Sequence, residues 1–151
     1  MFENITQARH GAKQKNIIIR SPADYFVLTL VDWMVAPDMH ELSVTQSVLD
    51  IALEHAKVAQ AEKITRINLV IGEMSSIVDD CVQFYFDFIS KGGIASNATL
   101  SFHRIPTQVR CRNCATTFSP KETDWECPNC GEWNVEITAG QEFYIDSIEV
   151  E

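Results

Sequence analysis

The pattern that most constrains this chain is a pair of CxxC motifs, Cys111-Arg112-Asn113-Cys114 and Cys127-Pro128-Asn129-Cys130, with 12 residues between them. Two residues between thiolates let one tight turn aim both sulfurs at a point, with turn N–H groups left to bond them. Two such turns on facing loops complete a tetrahedral four-sulfur site, the geometry that Zn2+ prefers. Iron takes the same ligands and stays open as an alternative. A pair of redox dithiols is the weaker reading, because two CxxC pairs at this separation more often share one metal. Four protein sulfurs leave no position for a water, so the metal has a structural task. Residues 106–134 need it: they hold turn formers and almost no large aliphatic side chains. The fifth cysteine, Cys81, lies among Val82, Phe84 and Tyr85 in a helical stretch and is expected to be a buried small apolar residue.

Composition narrows the class of partner. With 151 residues, 46% apolar and 22% charged, the chain can build one core with a small satellite, and is no disordered or low-complexity chain. Its net charge is −9, which repels phosphate backbones. Residues 106–134 set Arg110, Arg112 and Lys121 against Glu122, Asp124, Glu126 and Glu132, a net of −1. A zinc ion with four thiolates adds about −2. Trp125 and Trp133 sit among those carboxylates, so nucleic acid is not an expected partner. The most apolar run, Tyr25 to Pro37, is 13 residues long and contains Asp32. A membrane span needs about 20. Ile17-Ile18-Ile19 is too closely flanked by Lys15 and Arg20 for a secretory signal, so no span and a cytoplasmic location are expected.

Charge and periodicity place a boundary near Met39. Residues 1–38 carry no net charge and lack a sustained helical or strand period, and read as an N-terminal extension. Ser43-Val44-Thr45-Gln46 has capping-box spacing and predicts a helix to about Gln60, with Val44, Val48, Ile51, Ala52, His55 and Ala59 along one face. Ile64 to Ile71 reads as a strand ended by Gly72. A second helix is predicted from about Asp79 to Ser90, with Val82, Tyr85, Phe86 and Ile89 inward and Gly92-Gly93 as its stop. Ala98 to Ile105 alternates as a strand. Phe143 to Val150 alternates with a one-residue phase shift at Ser147, which suggests a bulge. The simplest topology returns this last strand to the sheet of 64–105. The fold expected is α/β (α+β): a small mixed β-sheet with two helices, formed by 39–105 plus 139–151, and an inserted four-cysteine zinc-ribbon subdomain over 106–138.

Met39-His40-Glu41-Leu42-Ser43, the Gly72-Glu73 turn, the two CxxC motifs and the closing Ser147-Ile148-Glu149-Val150-Glu151 together resemble the HypA family, including its HybF paralogues. The resemblance covers residues 39–151. It implies a nickel metallochaperone of NiFe-hydrogenase maturation, with structural Zn2+ on Cys111, Cys114, Cys127 and Cys130. It places transported Ni2+ at His40, with neighbouring backbone nitrogen, and at nearby Glu41. Imidazole and deprotonated amides suit the square-planar nitrogen set of Ni2+. Without the resemblance, His40 is an unremarkable polar residue; His55 and His103 read as helix-face and strand-face residues. The implied partners are a HypB-type GTPase and the hydrogenase large-subunit precursor, with urease maturation proteins in some organisms.

In the family Met is the first residue, and its amine is thought to complete the nickel site. Here 38 residues precede Met39, so that nitrogen is an amide. The expectation is that Met39 is the true start and that 1–38 reflect an upstream start or an appended segment. No nucleophile–base pair, phosphate loop or open metal site points to catalysis, so a metallochaperone rather than an enzyme is expected. The reading from another class is a zinc-ribbon adaptor that binds protein and carries no nickel.

Overall fold

The computed structural model describes residues 14–19 and 40–151, with only the backbone of His40. It contains β1 (Lys15–Ile18), α1 (His40–Val58), β2 (Ile64–Gly72), α2 (Asp79–Ile89), β3 (Thr99–Ile105), β4 (Gln108–Cys111), β5 (Thr117–Phe118), β6 (Val135–Ala139) and β7 (Phe143–Val150). The strands form two sheets, β1-β7-β2-β3 and β5-β4-β6. In the first, β2 and β3 run parallel, with α2 in the connection between them, and β7 returns antiparallel to β2. No helix among the described residues is long and apolar enough to cross a membrane.

One side of the larger sheet meets both helices. Val44, Val48, Leu49, Ala52 and Ala56 of α1 and Val82 and Phe86 of α2 close over Ile64, Ile67, Leu69, Ile71, Ile145, Ile148 and Val150 in one buried cluster. The last strand keeps Ile145 and Ile148 inward by means of a bulge. Asn68 pairs with Ser147 but Leu69 with Ile145, so Asp146 is the extra residue, next to the expected Ser147. A second shift leaves Thr65 extra on β2, and its hydroxyl donates to the Glu149 carbonyl at 3.1 Å.

Three expectations need correction. The first helix begins at His40, about one turn before the cap expected at Ser43. Gln46 does not return to a cap; its amide donates to Asp50 Oδ1 at 2.9 Å. The hydroxyls of Thr45 and Ser47 bond back to the carbonyls of Glu41 and Ser43, a side-chain role found inside helices. Cys81 is exposed, not buried. Residues advance about 100° each around a helix, so Val82 and Phe86 face the core while Cys81 shares the outer side with exposed Phe84 and Phe88. Lastly, part of the extension is structured, as β1. Three adjacent isoleucines show no alternation, so the strand comes from pairing rather than pattern: Ile17 pairs with Ile148 and Ile18 with Ser147. The remainder of 1–38, and Met39, lie outside the described residues.

The two sheets meet at a crossing of backbones. The Gly72 N–H donates to the Glu142 carbonyl, the Met74 N–H to the Gly140 carbonyl and the Glu73 N–H to the Ile105 carbonyl. The Glu73 carboxylate also accepts the Thr107 N–H at 2.9 Å. Thus the β2 turn grips both the chain entering the small sheet and the chain leaving it. A Cβ on Gly72 would fall 2.1 Å from the Gly140 carbonyl carbon and oxygen, atoms that cannot yield. Gly72→Ala is therefore expected to lower stability by about 3 kcal/mol. Denaturant unfolding of the metal-loaded protein measures this; an unchanged midpoint would contradict the crossing.

Candidate metal centre

The small sheet cannot fold by burial. The core cluster takes no residue between Ile105 and Phe143 among the described residues. Within that stretch the fully buried side chains include only Val109, Cys111 and Cys127. One buried valine is worth about 2 kcal/mol, far below the roughly 10 kcal/mol or more of apparent folding free energy that a structural zinc supplies in small zinc domains. What order the stretch has must come from its cysteines.

Each CxxC closes in the same way. The Ala115 N–H donates to the Cys111 carbonyl at 2.9 Å, and the Gly131 N–H to the Cys127 carbonyl at 2.8 Å. The residue after each second cysteine then turns left-handed, with φ 61° at Ala115 and 74° at Gly131. Gly131 meets that demand without strain. The Cys111 N–H donates to the Thr116 carbonyl and the Cys127 N–H to the Glu132 carbonyl, folding each turn back on itself. Across the strands, the Arg110 guanidinium pairs with Glu136 directly opposite it.

These turns bring all four sulfurs within 4.8 Å of one another. Cys111 Sγ lies 3.6 Å from Cys130 Sγ, and Cys114 Sγ lies 3.5 Å from Cys127 Sγ, so the nearest neighbours come from opposite motifs. Ligands about 2.3 Å from a tetrahedral zinc sit about 3.8 Å apart. The sulfurs therefore fit a zinc ion with little adjustment, and are too far apart for a disulfide, whose bond is about 2.05 Å. The sequence named these four ligands, and the structure brings them together.

The thiols are electrostatically unequal. Hydrogen bonds from the Asn129 side chain, and then from the Thr116 side chain and backbone, hold the Cys114 thiol down to about 5. At Cys130 a backbone bond involving Glu132 favours the thiolate, but desolvation and the sulfurs of Cys111, Cys114 and Cys127 outweigh it and push the group up to about 12. Sulfurs this close cannot all carry charge unaided, and a dication removes the conflict.

His40 and Glu41 stand apart from this cluster, on the first turn of α1. Glu41 is half-buried. The first four N–H groups of a helix have no acceptor within it, so the backbone nitrogens here are not committed to the helix ladder. His55 lies half-buried on α1, and His103 lines the open side of the larger sheet, beside a cavity of about 260 Å³ with Asn68, Tyr144 and Asp146. In the sequence, Gly72-Glu73 stands out as a turn but shows no task. Its part in gripping Thr107 and Gly140 depends on contacts distant in sequence, for which a single chain carries no signal.

Cys114→Ser is expected to release zinc and unfold the stretch from Gln108 to Ala139 while leaving α1 and α2 in place. Metal analysis with far-ultraviolet circular dichroism checks this. Unchanged zinc stoichiometry, or loss of the helical signal, would contradict it.

Comparisons with known proteins agree with this geometry. The family profile described as HypA, "Hydrogenase/urease nickel incorporation, metallochaperone, hypA", matches residues 39–150. Hydrogenase maturation factor HypA of Dehalococcoides mccartyi strain 195 is 48% identical over 113 residues, covering 75% of this chain and 95% of that protein. The same factor from Caldanaerobacter subterraneus subsp. tengcongensis is 41% identical over 114 residues, covering 75% of this chain and all of the relative. The solution structure of the Ni metallochaperone HypA from Helicobacter pylori is similar with a TM-score of 0.53 and 30% identity, over 73% of this chain and 96% of that one. A further HypA solution structure is similar with a TM-score of 0.61 and 32% identity, over 75% of this chain and 97% of the other. Through residues 39–150, this chain belongs to the HypA family of hydrogenase/urease nickel-incorporation metallochaperones.

Proposed function

We propose that this protein carries Ni2+ at the start of α1 and delivers it for NiFe-hydrogenase maturation, while Cys111, Cys114, Cys127 and Cys130 hold a structural Zn2+. The observation that carries the reading is the position of His40 and Glu41 on the opening turn of a helix. The backbone nitrogens of that turn can be deprotonated without breaking the helical ladder, and His40 would add its imidazole to them. Ni2+ favours such a nitrogen-rich set, whereas the thiolates suit zinc. A site with few side-chain ligands at the edge of the fold can pass its ion on. The matching partners are a HypB-type GTPase, the hydrogenase large-subunit precursor and, in the urease branch, urease maturation proteins. The location that goes with this reading is the cytoplasm.

The adaptor reading draws support from exposed Phe84, Phe88 and Trp133, which suit protein docking. Nickel titration separates the two. With zinc already bound, His40→Ala is expected to abolish stoichiometric Ni2+ binding and to keep one zinc per chain. Full-affinity nickel binding by the variant would remove His40 from the site, and absence of nickel binding by the parent would favour the adaptor.

Met39 supplies a second test. A free α-amine has a pKa near 7.7–8.0 and can bind a metal at neutral pH, while an amide gives up its proton only against an anchored ion. If the amine is a ligand, protein beginning at Met39 binds Ni2+ about one to three powers of ten more tightly than the 151-residue chain, where 1.4 kcal/mol is tenfold. Calorimetry on both, at one pH, measures the difference; equal affinities would exclude the amine as a ligand.

A further inference from the structure

We infer that the outer edge of β7 is a strand-docking site that this chain fills with its own residues 14–19. Within the extension preceding the family segment, Lys15–Ile18 is thereby an attached edge strand of the larger sheet. The inference is independent of the nickel reading, since it uses neither His40 nor the cysteines.

Several observations converge on it. Lys15, Asn16, Ile17 and Ile18 pair antiparallel with Val150, Glu149, Ile148 and Ser147. The pairing continues past the strand, where the Ile19 N–H donates to the Asp146 carbonyl at 3.0 Å. At the other end Gln14 Nε2 donates to Glu149 Oε2 at 2.6 Å. The side chains alternate as an edge strand on a core requires. Ile19 is buried at 3% exposure within the main cluster and Ile17 packs against it, whereas Ile18 is 73% exposed. Without this strand β7 presents an unpaired row of N–H and C=O groups, an invitation to pair with another chain. The family profile begins at residue 39, and the Caldanaerobacter relative is matched over its whole length by 114 residues. The strand therefore lies outside what this chain shares with its relatives.

Antiparallel pairing makes the prediction residue-specific. The Ile19–Asp146 bond fixes the alternation: Ile17 and Ile19 direct their backbone groups to β7, and Ile18 directs its own outward. On β7, the amides of Ile148 and Val150 face β1, while those of Ser147 and Glu149 face β2. Proline lacks the N–H and is tolerated only where that group faces solvent. In the full chain with metal bound, Ile17→Pro should accelerate hydrogen exchange at Ile148 and Val150 at least tenfold and leave Ser147 and Glu149 protected. Ile18→Pro should leave all four protected. Ile19→Asp, which puts a charge into the core instead of removing an N–H, should reproduce the Ile17→Pro pattern. Protection of Ile148 and Val150 unchanged by both Ile17→Pro and Ile19→Asp would overturn the inference. So would protection that rises with protein concentration, since the strand would then come from a second copy.

Discussion

Everything in the small sheet depends on four sulfurs meeting at one point. The stretch from Gln108 to Ala139 supplies one fully buried aliphatic side chain, Val109, and its strands are short. Hydrogen-bonded turns at Ala115 and Gly131 aim the cysteines inward, but aiming thiolates at each other creates repulsion. Only a cation at the centre turns that convergence into a source of stability. The remainder of the fold needs no such device, because two helices and a four-stranded sheet bury a continuous apolar cluster.

The two regions are joined where chain packs on chain without side chains between. Gly72 lies so close to Gly140 that no Cβ fits, and Glu73 accepts the Thr107 N–H. The cysteine-bearing sheet is thus clamped at its entry and its exit to the end of β2. The opening of α1, with His40 and Glu41, belongs to the other region. On the proposed reading, zinc's sulfur ligands and nickel's nitrogen ligands would come from separate parts of the chain, so that one ion would be kept while the other is exchanged.

Where the sequence signal is chemical or strongly periodic, it is legible. The CxxC spacing identifies all four cysteines, α2 spans Asp79–Ile89 with Val82 and Phe86 inward, and β7 returns to β2 with a bulge beside Ser147. Where two local rules compete, the pattern misleads. Ser43 and Gln46 have cap spacing, but helix propagates back to His40, and the Gln46 amide donates to Asp50 within the helix instead. Cys81 has apolar neighbours, yet a single residue step carries it round to the outer side of α2. The strand at Lys15–Ile18 is invisible in the sequence because its partner lies more than a hundred residues away. The grip of Glu73 is hidden for the same reason.

The central claim is that two metal ions occupy chemically distinct sites. X-ray absorption at the zinc and nickel edges, on the full chain loaded with one equivalent of each, tests it directly. Four sulfurs at about 2.3 Å around zinc and a nickel shell of nitrogen and oxygen alone are the predicted result. Sulfur in the nickel shell, or a zinc shell with fewer than four sulfurs, would contradict it.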